Sequence, residues 1–95
     1  MMRVLRITAA EAVLPGVLKV TWNDGGAGVV DLRGILMKGE LFAPIRDPER
    51  FAAVQVEEHG HSIFWGEPGD EDVDFGADRL RQIADEQAAL IRRAS

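Results

Sequence analysis

The stretch 67–79 holds the residues whose types and spacing come nearest to a metal site, because it carries six carboxylates. Three of them stand two residues apart, as the first ligands of a calcium-binding loop do: Asp70, Asp72 and Asp74. An EF-hand loop that begins at Asp70 requires glycine at its sixth position and a closing glutamate at its twelfth. Phe75 and Arg81 occupy those two positions. The sequence therefore predicts an acidic connector here and no metal site.

A second group of candidate ligands lies just upstream, at Glu57, His59 and His61. Residues two apart on a strand face the same way, so both imidazoles could bind one metal ion, with Glu57 as a third ligand. The simpler interpretation, which we adopt, is two solvated histidines in a turn. Ser62 follows His61 directly, so on a strand the two side chains point to opposite faces and cannot act as nucleophile and base. We predict no catalytic, cofactor-binding or metal-binding residue.

The composition is that of one ordinary globular domain covering residues 1–95, with 46% hydrophobic and 28% charged residues. The absence of cysteine excludes disulfides and thiolate metal sites, and it fits a reducing compartment. The longest apolar runs are about four residues, whereas a membrane-spanning helix needs roughly 20. We expect a cytoplasmic protein without a membrane segment.

The net charge of −5 is unevenly distributed along the chain. Residues 51–78 hold eight acidic and no basic side chains, whereas residues 79–95 hold four basic and two acidic ones. Proteins that bind nucleic acids need clustered lysine and arginine to displace counterions from the phosphates. The acidic middle third disfavours direct binding to nucleic acid by this chain alone.

The first half of the chain reads as three strands, at 3–14, 17–22 and 27–32. The second strand alternates, with one apolar face made of Leu18, Val20 and Trp22. Asp24-Gly25 stands between the second and third strands, and this pair favours a tight hairpin turn because glycine tolerates positive φ. Strands two and three are therefore predicted to form a hairpin.

The second half begins with a helix start at Asp47-Pro48, where Asp47 is a typical N-cap and proline suits the first helical position. This short helix is predicted to end near Ala53. Two short strands follow, at 54–56 and 62–65, and the turn between them indicates a second hairpin.

The segment 78–93 is the clearest helix. Six residues fall on one helical stripe, at offsets 0, 3, 4, 7, 8 and 11, and only one of them is polar: Leu80, Ile83, Ala84, Gln87, Ala88 and Ile91. Asp74 or Asp78 is the predicted N-cap of this helix.

The order of elements predicts an α+β fold, a small antiparallel sheet of about five strands with a short helix and one C-terminal amphipathic helix packed on it. One helix covers one face of such a sheet. Depending on register, Val17, Val30 and Leu32 fall on the other face. The first strand or the segment 36–42 could cover them within the chain, or a second copy of the chain could do so. We therefore predict a homodimer.

A series of short motifs adds a family resemblance that covers residues 7–84. The motifs, in chain order, are Gly28-x-Val30-Asp31-Leu32, Phe42-Ala43-Pro44-Ile45-Arg46-Asp47-Pro48, Phe51, Val54-x-Val56, Ile63-x-Trp65 and Asp74-Phe75-x-Ala77-Asp78-x-Leu80. Together they resemble the small bacterial family known as domain of unknown function 2442. After the tryptophan the family commonly has Pro-Asn-Gly, whereas this chain has Gly66-Glu67-Pro68-Gly69 and a longer acidic connector.

The resemblance implies a compact α+β domain and no enzymatic activity, and some members are fused to a helix-turn-helix DNA-binding domain. Together with the absence of a nucleophile or cofactor loop, it leads us to predict a non-enzymatic binding or regulatory module that acts through a protein partner or self-association. One alternative is a small metal-dependent enzyme that uses Glu57, His59 and His61. A second alternative is an accessory part of a transcription-regulatory system.

Overall fold

The computed structural model describes residues 4–67 and 70–94. Within them the chain is an α+β domain with two three-stranded antiparallel sheets, three α-helices and one 3₁₀ helix. The strands are β1 (Ile7–Leu14), β2 (Val17–Trp22), β3 (Ala27–Asp31), β4 (Gln55–Val56), β5 (Ser62–Glu67) and β6 (Asp70–Gly76). The helices are α1 (Arg33–Leu36), the 3₁₀ helix (Glu40–Ile45), α2 (Pro48–Ala52) and α3 (Ala77–Ala94). The predicted fold class is confirmed.

Sheet A has the order β1-β2-β3, and the predicted hairpin between β2 and β3 is present. Gly25 takes the positive φ of the turn, at 86°, and the Trp22 N–H donates to the Gly26 carbonyl across the hairpin neck. Leu18 pairs directly with Val30, so these two side chains share the buried face. The sequence left the face of Val30 and Leu32 dependent on the register, and the register places both in the core.

Sheet B has the order β4-β5-β6 and replaces the single five-stranded sheet that the sequence predicted. Its first hairpin, β4 with β5, was predicted, but β6 occupies the segment that was interpreted as an acidic connector. Val73 pairs with Trp65 and Phe75 with Ile63, and all four side chains are buried. The alternation of Val73 and Phe75 was not recognised in the sequence because acidic residues dominate the segment. Residues 68 and 69, where the chain departs from the family pattern, lie outside the described residues.

The main core includes residues from both sheets, and most of the apolar residues of the family motifs belong to it. Ile45, Phe51 and Ile63 are each at most 1% exposed. The Trp65 ring stacks on the Phe51 ring at 5.4 Å, and its indole N–H donates to the Phe51 carbonyl at 2.8 Å. The predicted cap of α2 is confirmed, because the Asp47 carboxylate accepts from the Arg50 N–H at 3.1 Å. The motif residues that are buried therefore serve packing.

Helix α3 closes the domain and begins at Ala77. Asp74 lies within β6 and Asp78 in the first turn of α3, so neither stands directly before the helix as an N-cap. At Asp78 a carboxylate still favours the positive end of the helix dipole. No helix in the described ranges is long and apolar enough to cross a membrane.

Candidate binding groove between β3 and α3

The domain buries only the first half of the predicted apolar stripe of α3. Leu80, Ile83 and Ala84 are buried, at 0%, 6% and 8% exposure, whereas Ile91 is 71% exposed and Ala88 is also exposed. The prediction that α3 packs on a sheet is confirmed, but the domain covers only the first half of the stripe. Its second half therefore presents an apolar surface.

This surface forms one wall of a groove with a volume of about 640 Å³, which we call the α3–β3 groove. The opposite wall comes from the outer face of sheet A, where Leu14, Val17 and Val29 lie. Val29 is directly opposite Lys19 on that outer face, and it is 57% exposed. The sheet and the helix both contribute apolar residues to the groove: Leu14, Val17, Trp22, Ala27 and Val29 from the sheet, and Ala84, Ala88, Leu90 and Ile91 from the helix.

Helix α3 lies close to the edge strand β3 at Gly28. A Cβ atom placed on Gly28 would be 3.4 Å from the Ala84 Cβ and 3.7 Å from the Trp22 ring, which are ordinary contact distances. Ala84 therefore packs against β3 at this position.

Gln87, the polar residue of the α3 stripe, binds the free edge of β3. The Leu32 N–H donates to the Gly16 carbonyl, so by antiparallel alternation the backbone groups of Asp31 point away from β2. Gln87 bonds both of them: its Oε1 accepts from the Asp31 N–H at 2.9 Å, and its Nε2 donates to the Asp31 carbonyl at 2.8 Å. One side-chain amide thus replaces a neighbouring strand and protects the sheet edge.

Replacing Gln87 with leucine is expected to lower the free energy of unfolding by about 1–3 kcal/mol, because it leaves two partly buried backbone groups without partners. Gln82→Leu is the matched control on the same helix. Gln82 is exposed and bonds only Glu86 in the described structure, at 3.2 Å, so its loss should cost under about 0.5 kcal/mol. Urea unfolding followed by circular dichroism measures both. Equal midpoints for the two variants would contradict this role of Gln87.

Arg81 joins α3 to the β2–β3 turn at one end of the groove. Its guanidinium carbon lies 4.9 Å from the centroid of the Trp22 ring, and its Nη2 is 3.0 Å from the Asp24 carboxylate. Its Nε lies 3.7 Å from the carboxylate of Asp85. The hydrogen bond from Arg81 lowers the pKa of Asp24, and the Gly26 N–H lowers it further.

At the other end of the groove Arg33 forms an ion pair with Asp31, with its Nη2 2.8 Å from the carboxylate. This contact lowers the pKa of Asp31. Each arginine that lines the groove is therefore bound to a carboxylate of the same chain. The groove has polar ends, little net charge and apolar walls.

The alternative metal ligands Glu57, His59 and His61 lie together in the β4–β5 turn. The Glu57 Oε1 accepts from the backbone N–H groups of His59, at 3.0 Å, and His61, at 3.1 Å. These two bonds, with that of His61 first, lower the pKa of Glu57. The imidazole centroids are 5.8 Å apart, and the His61 Nδ1 is 3.8 Å from Glu57. The Glu57 carboxylate therefore stabilises the backbone conformation of this turn.

The same turn connects the two sheets. The Ile7 N–H donates to the Gly60 carbonyl at 2.7 Å, and the Ala77 N–H donates to the His61 carbonyl at 2.8 Å. Across the described residues, no three histidine, aspartate or glutamate side chains are placed to hold a metal ion. The side chains of residues 70–72, which include the calcium-like spacing, lie outside that description. The metal-dependent alternative stays a prediction.

The family assignment rests on a family model, described as "Protein of unknown function (DUF2442)", that matches residues 9–86. This chain belongs to the DUF2442 family. The predicted resemblance is confirmed. The family is described as one of unknown function, so membership assigns no activity to the chain. No curated protein matches the chain.

A solved structure of similar fold is the crystal structure of "Putative DNA Binding Protein NE0471" from Nitrosomonas europaea. It superposes with a TM-score of 0.77 and is 38% identical in sequence. The match covers 90% of this DUF2442 chain and 52% of the other chain. This chain thus spans about half the length of that protein.

Proposed function

We propose that this DUF2442 protein is a non-enzymatic binding module that holds an apolar protein surface in the α3–β3 groove. One observation carries the proposal. Among the described residues, eight large apolar side chains are exposed, and four of them line this groove: Leu14, Val29, Leu90 and Ile91. Exposed apolar patches rimmed by polar residues mark interaction sites on soluble proteins.

The charges around the groove favour a protein surface over a nucleic acid. Phosphate binding needs cations that are free to replace counterions. Arg33 and Arg81, the cations that line the groove, are each bound by a carboxylate, Asp31 and Asp24 respectively. A phosphate group would have to displace those carboxylates, whereas an apolar surface leaves both ion pairs in place.

A second candidate function is an accessory part of a transcription-regulatory system. The similar structure from Nitrosomonas europaea is described as a "Putative DNA Binding Protein" and is about twice as long as the matched region. By this proposal, DNA contact belongs to another domain or another chain, and this domain contributes a protein contact. Fluorescence anisotropy with duplex DNA at physiological salt would then detect no binding by this chain alone tighter than about 10⁻⁴ M, the weak end of non-specific affinity.

The test of the proposed function is affinity purification of the tagged chain from its native host. The variant Ile91→Glu places a charge in the groove, and Leu41→Glu is the control, because Leu41 is 67% exposed but lies outside the groove. The proposal expects at least one protein, untagged copies of this chain included, that the parent and Leu41→Glu retain and that Ile91→Glu loses. Identical sets of proteins for all three baits would refute it.

A further inference from the structure

We infer that the occupant of the α3–β3 groove is a second copy of this chain, bound across a two-fold axis. The inference rests on the proposed function and adds the identity of the partner. It follows from the charge of the groove, the apolar side chains of its two walls and the apolar stripe of α3.

The uneven distribution of charge disfavours some surfaces as the contact between two copies. Each chain carries a net charge of −5, and residues 51–78 hold eight acidic and no basic side chains. Two copies that met through the segment 51–78 would bring two such negatively charged segments together, and like charges placed opposite each other cost free energy. The charged residues that line the groove are two arginines and two aspartates: Arg33, Arg81, Asp31 and Asp85. A two-fold contact there involves no net repulsion.

The two walls of the groove are both apolar. Leu90 and Ile91 project from the last turns of α3, at 62% and 71% exposure. Leu14, Val17 and Val29 lie on the outer face of sheet A, at the other wall of the same groove. A two-fold interface uses the same patch on both subunits, so each apolar wall of one copy meets an apolar wall of the other.

The stripe of α3 supplies the central contact. Ala84, Ala88 and Ile91 fall at offsets 0, 4 and 7, so they lie on one helical face. The domain covers Ala84 and leaves the other two exposed. In a two-fold pair, the small Ala88 of one helix lets the Ile91 side chain of the other approach closely. The dimer thereby buries Ala88 and Ile91, the part of the stripe that the single chain leaves exposed.

Sedimentation equilibrium of the purified full chain at micromolar concentration tests the inference. The expected mass is twice the 10.4 kDa of the monomer. Ile91→Glu should weaken the dimer at least ~100-fold, because the two-fold interface would bury the unpaired charge twice. Val29→Glu, on the other wall, should do the same, and its carboxylate would face Lys19 within its own sheet, which preserves the fold. Leu41→Glu should leave the mass doubled.

Two outcomes would overturn the inference: a parent chain that stays at 10.4 kDa without concentration dependence, or a dimer that both groove variants leave intact. Far-UV circular dichroism at a concentration below dissociation confirms that the variants are folded. A monomeric parent that still loses a host protein through Ile91→Glu would refute the dimer and support the proposed function. A monomeric parent with no such loss would refute both.

Discussion

Ile83→Asp is expected to lower the free energy of unfolding by about 3–5 kcal/mol, a large part of the 5–15 kcal/mol typical of a domain. Ile83 is 6% exposed and belongs to the core cluster with Leu80 and Ala84. Aspartate there would lose the apolar contacts, leave a cavity and bury a carboxylate. The core cluster, as described, consists of apolar side chains and offers no cation to pair with it.

Gln82→Asp is the matched control for this variant, because Gln82 is the neighbouring residue on α3 and is exposed. It introduces the same side chain into the same helix without burying it, so its effect should stay within about 0.5 kcal/mol. Thermal melts followed by circular dichroism at pH 7 compare the two. If Ile83→Asp melts within a degree or two of the parent, α3 is not docked on the sheets as described.

Local signals in the sequence were sufficient for the β2–β3 and β4–β5 hairpins and for α2. Asp24-Gly25 fixes the β2–β3 turn through glycine's access to positive φ, and Asp47-Pro48 fixes the start of α2 through capping. These interactions join residues a few positions apart, so the pattern and its consequence are contained in the same short segment. The amphipathic periodicity of α3 is local in the same sense.

The division into two sheets could not be predicted, because it depends on contacts between distant residues. The Ile7 N–H bonds the Gly60 carbonyl, more than fifty positions away in the sequence. The spacing of apolar residues along the chain gives no indication of this contact. Strand β6 was missed for another reason. Its apolar residues Val73 and Phe75 alternate correctly, but carboxylates dominate the segment and suggested a loop. Strand pairing depends on the inward face, and a solvated outward face tolerates charge.

The candidate groove was missed because it lies between residues that are distant in the sequence, on sheet A and on α3. The stripe of α3 predicted which helix residues are apolar, but not which of them the domain covers. One residue carried a usable signal. Gln87 interrupts the apolar stripe, and its side-chain amide binds the backbone of Asp31 at the edge of β3.

Gly60 joins the two sheets, and two features of its backbone require glycine. Its φ is 74°, a conformation that costs a residue with a Cβ atom about 1–2 kcal/mol. A Cβ atom on Gly60 would also lie 2.6 Å from the Ile7 carbonyl oxygen, a distance that real Cβ atoms essentially never show. Relief of that clash would move the turn away from β1 and stretch the bond from the Ile7 N–H to the Gly60 carbonyl.

Gly60→Ala is therefore expected to lower the free energy of unfolding by about 3 kcal/mol or more, as the conformational cost adds to a lost buried hydrogen bond. Gly25→Ala is the control, because Gly25 has a similar φ of 86° but no atom within 4 Å of its added Cβ. It should cost only the conformational part, about 1–2 kcal/mol. Urea unfolding gives both values, and their difference isolates the contact between sheets A and B. Equal losses would mean that the turn yields without strain, and that the Ile7–Gly60 bond does not hold the two sheets together.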